Sequence, residues 1–278
     1  MPVRDQLNAW QCDCRFFYKP DHVRTDSEFF GADQRREDAG GCERKHHLMS
    51  AIAMQQHREQ SARSTARMAG VFYLLNILTI FLAIFFFRGL FVSGDLVATA
   101  TNLAAHSTLF ELGFASELIS TSCSLCVAAL LYELFKPVDS SLSLLAAFFR
   151  LIACAVAAMG YVFQVAPFQF GRHAPSFAAL KLDAVQALSA LVSTLHAYAL
   201  NILLVFFGFH FILLGYLILR SPAVPRVLGL IVIAAGFGAL IFLAPPIGAS
   251  LFPYFAGLGL IAELSLTTWL LLGSGRPA

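Results

Sequence analysis

A chain of 278 residues has room for one or two domains, but 58% of these residues are hydrophobic, 13% are charged and 27 are phenylalanine. With a mean hydropathy of +0.71 this is the composition of a membrane chain, not of a water-soluble globule. A formal charge of +2, with no basic helix and no aromatic-interleaved basic patch, excludes a nucleic-acid-binding footprint.

The charges are divided unevenly. Residues 1–67 hold 11 of the 19 Lys and Arg and 10 of the 17 Asp and Glu, so a polar head (residues 1–66) precedes a hydrophobic body (residues 67–278). The opening "MPVRDQLNAWQCDCRFF" has no apolar run after its basic residue and does not read as a cleaved signal, which leaves the first apolar helix to direct insertion. Cys12, Cys14 and Cys42 with His22, His46 and His47 match no zinc spacing, so no metal or other cofactor is expected there. Two readings of the head stand: a cytoplasmic extension without regular structure, or residues upstream of a true start at Met49 or Met54.

Six apolar runs follow, roughly 68–87, 110–135, 142–165, 188–219, 227–245 and 251–272, each near the ~20 residues that carry a helix across ~30 Å of hydrocarbon. The expected fold is all-α: a polytopic protein of the cytoplasmic membrane with six transmembrane helices, the lipid bilayer its one evident partner. Arg58, Arg63, Arg67, Lys136, Arg220, Arg226 and Arg276 then fall on one side and Arg88, Arg172 and Lys181 on the other, which places both termini in the cytoplasm. The two long connections, 88–109 and 166–187, open with helix-start residues (Ser93 and Asp95; Pro175 and Ser176). Each is expected to form a short helix on the outer rim.

Polar residues inside the apolar runs are the candidate site. Arg150 shares a helical face with Ala146, Ala147, Ala153, Cys154 and Ala157; small residues mark the packing face, so its guanidinium should point into the bundle. At 1.5 Å per residue, Arg150, Glu263, His210 and Asn76 all lie ~12–15 Å from the cytoplasmic ends of their spans. We expect these four to form an inner layer centred on an Arg150–Glu263 ion pair, with His210 and Asn76 completing the hydrogen bonds. Glu117, Asn201 and His196 are expected in a second, outer layer, with Glu111 at the interface beyond it. The same arrangement has a structural reading, since an Arg–Glu pair also fixes helix register.

His196 and His210, 14 residues apart on one face, have the spacing at which one helix holds two b-type haems, but no second helix offers matching histidines. Cys123 and Cys126 in "STSCSLC" read as small packing residues rather than a redox pair. The glycines of "GFGAL" and "GLGL" read as helix-packing positions, as do Gly208 and Gly215, which follow Asn201 at heptad spacing. No catalytic or nucleotide-binding motif is present.

From about Arg67 to residue 272 the chain resembles a family of bacterial membrane proteins catalogued as "domain of unknown function 4386". The resemblance is carried by "RMAGVFYLL", "GDLVATATNLAAH", "SLLAAFFRL", "LHAYALNILLVFFGFHFILLGYLILRS", "VPRVLGLIVIAAGFGAL" and "AELSLTTWLLL". It implies six or so membrane helices and no particular activity. From the residues themselves, the expected function is transport or permeation of a small solute or of protons through the buried polar layer. The alternatives are a non-catalytic membrane component that binds a partner protein or lipid, and an intramembrane enzyme or haem protein.

Overall fold

The computed structural model describes residues 28–92, 96–172 and 182–273. Among these every regular element is a helix: α1 (Glu28–Phe87), α2 (Leu96–Ala105), α3 (Ser107–Phe135), α4 (Ser140–Arg172), α5 (Leu182–Arg220), α6 (Arg226–Leu240, continued by one 3₁₀ turn, Ile241–Leu243) and α7 (Pro245–Leu272). Residues 1–57 and 58–278 form separate units. Of the first, residues 28–57 belong to α1, so the part of the head for which no regular structure was expected is helical from Glu28 on. Cys12, Cys14 and His22 lie outside the described residues, and nothing is described of the side chains of Cys42, His46 and His47.

Six helices are long and apolar enough to cross a membrane: Met49–Phe87, Ser107–Phe135, Ser140–Val165, Ala190–Arg220, Arg226–Leu243 and Ser250–Leu272. They coincide with the six apolar runs of the sequence, and the fold is an all-α membrane bundle. The first long connection carries its own helix, α2. Gly89, at φ +83, turns the chain out of α1; Thr99 Oγ1 then accepts from Val92 N at 2.9 Å, and Asn102 Nδ2 donates to Gly89 O at 3.3 Å. Leu103 of α2 seals against Leu90, Phe110 and Phe168. In the second connection, residues 173–181 lie outside the described residues, and from Leu182 the expected rim helix is instead the first turns of α5. The physical reason is that Leu182 to Ala190 carry no glycine or proline to interrupt the ladder, so the helix simply continues.

Packing is concentrated at one end of the bundle. One buried cluster joins Ala69 and Tyr73 of α1, Val127, Leu131 and Phe135 of α3, Ala146 of α4, Leu214, Leu217 and Ile218 of α5, Val232 of α6, and Leu266 and Leu270 of α7. All of these lie toward the end that carries the Lys136–Asp139 and Ser221–Pro225 connections, where Arg220 pairs with Asp139 at 3.5 Å. Two features set the helix pairing. Between α4 and α5 the two histidines act as pins: His210 Nδ1 meets Ala146 O at 2.8 Å and His196 Nδ1 meets Gly160 O at 2.9 Å. The donors are 14 residues apart on α5 and the acceptors 14 apart on α4, so both bonds hold a single antiparallel register. Between α5 and α6, glycines face each other's backbone. A Cβ on Gly208 would lie 2.9 Å from Gly236 O, and one on Gly215 2.7 Å from Gly229 O.

Two glycines of α7 behave differently. A Cβ added to Gly257 or Gly259 would meet nothing within 4 Å. The "GLGL" pair is thus not a packing contact, as its sequence suggested, but borders open space. Two substitutions separate the classes. Gly215→Ala should lower stability by about 1–3 kcal/mol through overpacking against backbone. Gly257→Ala should be neutral or stabilising by up to about 1 kcal/mol from helix propensity. Thermal unfolding of the purified protein in detergent measures both.

Candidate functional site

Arg150 is the largest side chain to be wholly buried, at 0% exposure. It is held from three neighbouring spans. Its Nε donates to Ser124 Oγ at 3.0 Å and to Ser124 O at 3.2 Å, and its Nη1 donates to Tyr73 Oη at 2.7 Å. Nη1 also lies 3.2 Å from His210 Nε2. Because His210 Nδ1 faces a carbonyl, the ring must carry its proton there, which leaves Nε2 as an acceptor for the guanidinium. The guanidinium carbon sits 4.7 Å from the Tyr73 ring centre and 5.3 Å from that of Phe207. Nη2 alone has no hydrogen-bond partner.

The ion pair expected with Glu263 is not formed. Among the described residues no carboxylate lies within 4.0 Å of Arg150, although Glu263 still acts on it electrostatically. The reason is tertiary. Helix α4 packs chiefly on α5 and α3 while α7 packs on α6, so equal depth does not bring the two helices together. The guanidinium is drawn toward Tyr73, Ser124 and His210 instead. Asn76 is likewise absent from the arginine's bonds. Its Nδ2 donates to Ser120 O at 2.8 Å and to Ser120 Oγ at 2.9 Å.

The outer layer is not one assembly either. Glu117, 9% exposed, faces the amide of Gln164, with Glu117 Oε2 and Gln164 Oε1 left without hydrogen bonds. Next to it Tyr161 Oη pairs with Thr121 Oγ1 at 3.1 Å. His196 is committed to Gly160 O, and Asn201 lies apart in a shallow groove with Tyr198 and Pro245. Both ring nitrogens of His210 are engaged, which removes it as a haem ligand. Cys123 and Cys126 are free thiols in a helix whose buried stripe also includes Ser116, Ser120 and Ser124.

Of the seven candidate residues, Asn76 and Glu263 share a cavity of about 540 Å³. All six spans line it. Asn76 and Ile80 come from α1, Ser120, Thr121 and Ser124 from α3, Cys154, Ala157 and Tyr161 from α4, and Phe207 and Phe211 from α5; Ala235 and Ala239 of α6 and Ala256, Gly259 and Glu263 of α7 complete the wall. Most of the wall is apolar. Glu263 is its one carboxylate, and among the described residues that carboxylate makes no hydrogen bond or ion pair. Arg150 stands behind the wall, gripping Ser124 from the far side.

Sequence reasoning missed Tyr73, Ser124 and Gln164. Tyr73 and Asn76 are one helical turn apart, and Ser116, Ser120 and Ser124 recur every four residues, so a polar-face count on the first two spans was the available signal. The arginine's restraint is testable. Tyr73→Phe should cost about 1.5–3 kcal/mol, because a buried charged donor loses its acceptor, whereas His196→Ala should cost only about 0.5–1.5 kcal/mol. Denaturation in detergent with each single variant measures the difference.

No curated protein and no solved structure matches the chain. The family match covers residues 68–273, which takes in all six spans from Met68 onward and every residue of the cavity wall and its arginine. The chain therefore belongs to the family described as domain of unknown function (DUF4386).

Proposed function

We propose that the protein is a transport-type membrane protein that takes up a small, mostly apolar molecule in its central cavity. One observation carries this reading: a cavity of about 540 Å³ bounded by every span, mostly apolar, with Glu263 its one carboxylate and a few hydroxyl and amide side chains in the wall. That volume is within the roughly 300–1,000 Å³ of small-molecule sites, and a mainly apolar wall with a few convergent polar groups is their usual make-up.

The geometry favours this over conduction of protons or of a hydrophilic solute. Arg150 and His210 are tied to each other and to α1, α3 and α4 behind the wall, so they serve as braces and not as a relay. Glu263 is joined to no hydrogen-bonded chain, and the Glu117, Gln164, Tyr161 and Thr121 group forms a separate cluster. The arginine's part is to place a permanent positive charge beside a carboxylate deep in the bundle, which lets that carboxylate stay in an apolar cavity.

Gly259→Leu places a large side chain in the open space next to Glu263 without touching the packed glycines of α5 and α6. With Nile red as a neutral apolar probe, the purified protein should show saturable fluorescence enhancement. The variant should bind roughly tenfold more weakly, equivalent to about 1.4 kcal/mol. Equal affinity of the two proteins would dismiss the cavity as the binding site.

A further inference from the structure

Resting on the reading of the cavity as a binding site, we propose that its ligand is a bilayer-dissolved amphiphile with a neutral hydrogen-bond-donating head, such as a long-chain alcohol, which enters sideways between α1 and α7. Two independent sets of observations lead there, one for the route and one for the head group.

The route follows from which lining residues are exposed. Phe81 (48%) and Ile84 (59%) of α1 and Phe252 (50%) and Ala256 of α7 are exposed; every other residue of the wall is buried or half-buried. Thus the mouth is bounded by these two helices. At their other end the same helices touch, since a Cβ on Gly70 would lie 2.8 Å from Leu271. Moving along the seam, contact gives way to open space at Gly257 and Gly259. Pro253 lies inside α7 one turn from Gly257, where it removes a rung of the helix ladder and weakens the helix that forms one side of the gap. Large apolar side chains at an opening within a membrane-length span face acyl chains, so what passes between them comes from the bilayer.

The head group follows from the hydrogen-bond inventory. Asn76 Nδ2 and Ser120 Oγ are spent on each other's residues. Arg150 Nη2 is sealed behind the wall. The groups left over toward the cavity are two acceptors, the Glu263 carboxylate and Asn76 Oδ1, and two hydroxyl protons, that of Ser124 and one from the Thr121–Tyr161 pair, which a hydroxyl head meets as an acceptor. Arg150, bonded to the wall residue Ser124, already supplies a permanent positive charge at this cavity, so what the carboxylate lacks is a donor and not a second cation. A hydroxyl meets that need. An anionic head would be repelled, and a head without a donor would leave the carboxylate unmet.

The experiment uses the full chain in phospholipid vesicles with four diazirine-bearing probes of one chain length: alcohol, primary amine, carboxylic acid and methyl ether. Cross-linked peptides are located by mass spectrometry. The alcohol should label residues 80–84 and 256–260 at least tenfold more than the ether or the acid and more than the amine, and Glu263→Gln should reduce its labelling by a similar factor. Labelling at those segments that is indifferent to head group would overturn the donor-head assignment while leaving the cavity as a binding site. Preference for the amine would overturn the neutrality of the head. Labelling by the alcohol at other segments would overturn the sideways entry. If Gly259→Leu leaves labelling by all four probes unchanged, the cavity reading beneath the proposal fails with it.

Discussion

A permanent cation with no access to water has to be held by something, and in this bundle that requirement organises the helices around it. Arg150 takes Tyr73 from α1, Ser124 from α3 and His210 from α5, and His210 reaches back to the backbone of α4. Four spans are therefore joined through one guanidinium. In a bilayer the apolar side chains add little to helix association, because lipid is as good a solvent for them as protein is, so polar contacts and close packing carry more of the specificity. Here they work together: the small residues Ala146, Ala153 and Ala157 bring α4 close to its neighbours, and the arginine fixes which neighbours those are.

The same arginine explains how a carboxylate comes to face an apolar cavity. Glu263 is neither paired nor hydrogen-bonded among the described residues, yet it lies within electrostatic reach of a charge that cannot be neutralised. Helix α7 lines the cavity, with Gly257 and Gly259 supplying room where larger residues would fill it. The bundle is thus tightly packed at the end near Arg220 and holds its cavity further along the spans.

The number and approximate limits of the spans were readable from hydropathy alone, since the bilayer thickness imposes a length on any helix that crosses it. The inward direction of Arg150 was readable from helical phase: of the small residues on its face Ala146, Ala153, Cys154 and Ala157 are buried and Ala147 half-buried, and Phe148, Ile152 and Met159 opposite are exposed. Heptad spacing also marked Gly208 and Gly215 as packing positions. The two histidines were recognised as sharing a face, but their use was not. A spacing of 14 residues serves a register lock between antiparallel helices as well as it serves two ligands.

The sequence by itself determined that this is an all-helical protein with six helices long and apolar enough to cross a membrane, and that Arg150 turns inward, because periodicity and length are properties of single helices. Only the tertiary structure decided which inward faces meet. Depth is one coordinate, and residues at equal depth on α4 and α7 are separated by the arrangement of the helices around the bundle, which no single-helix pattern encodes. That is why Arg150 binds Tyr73, Ser124 and His210 while Glu263 faces a cavity.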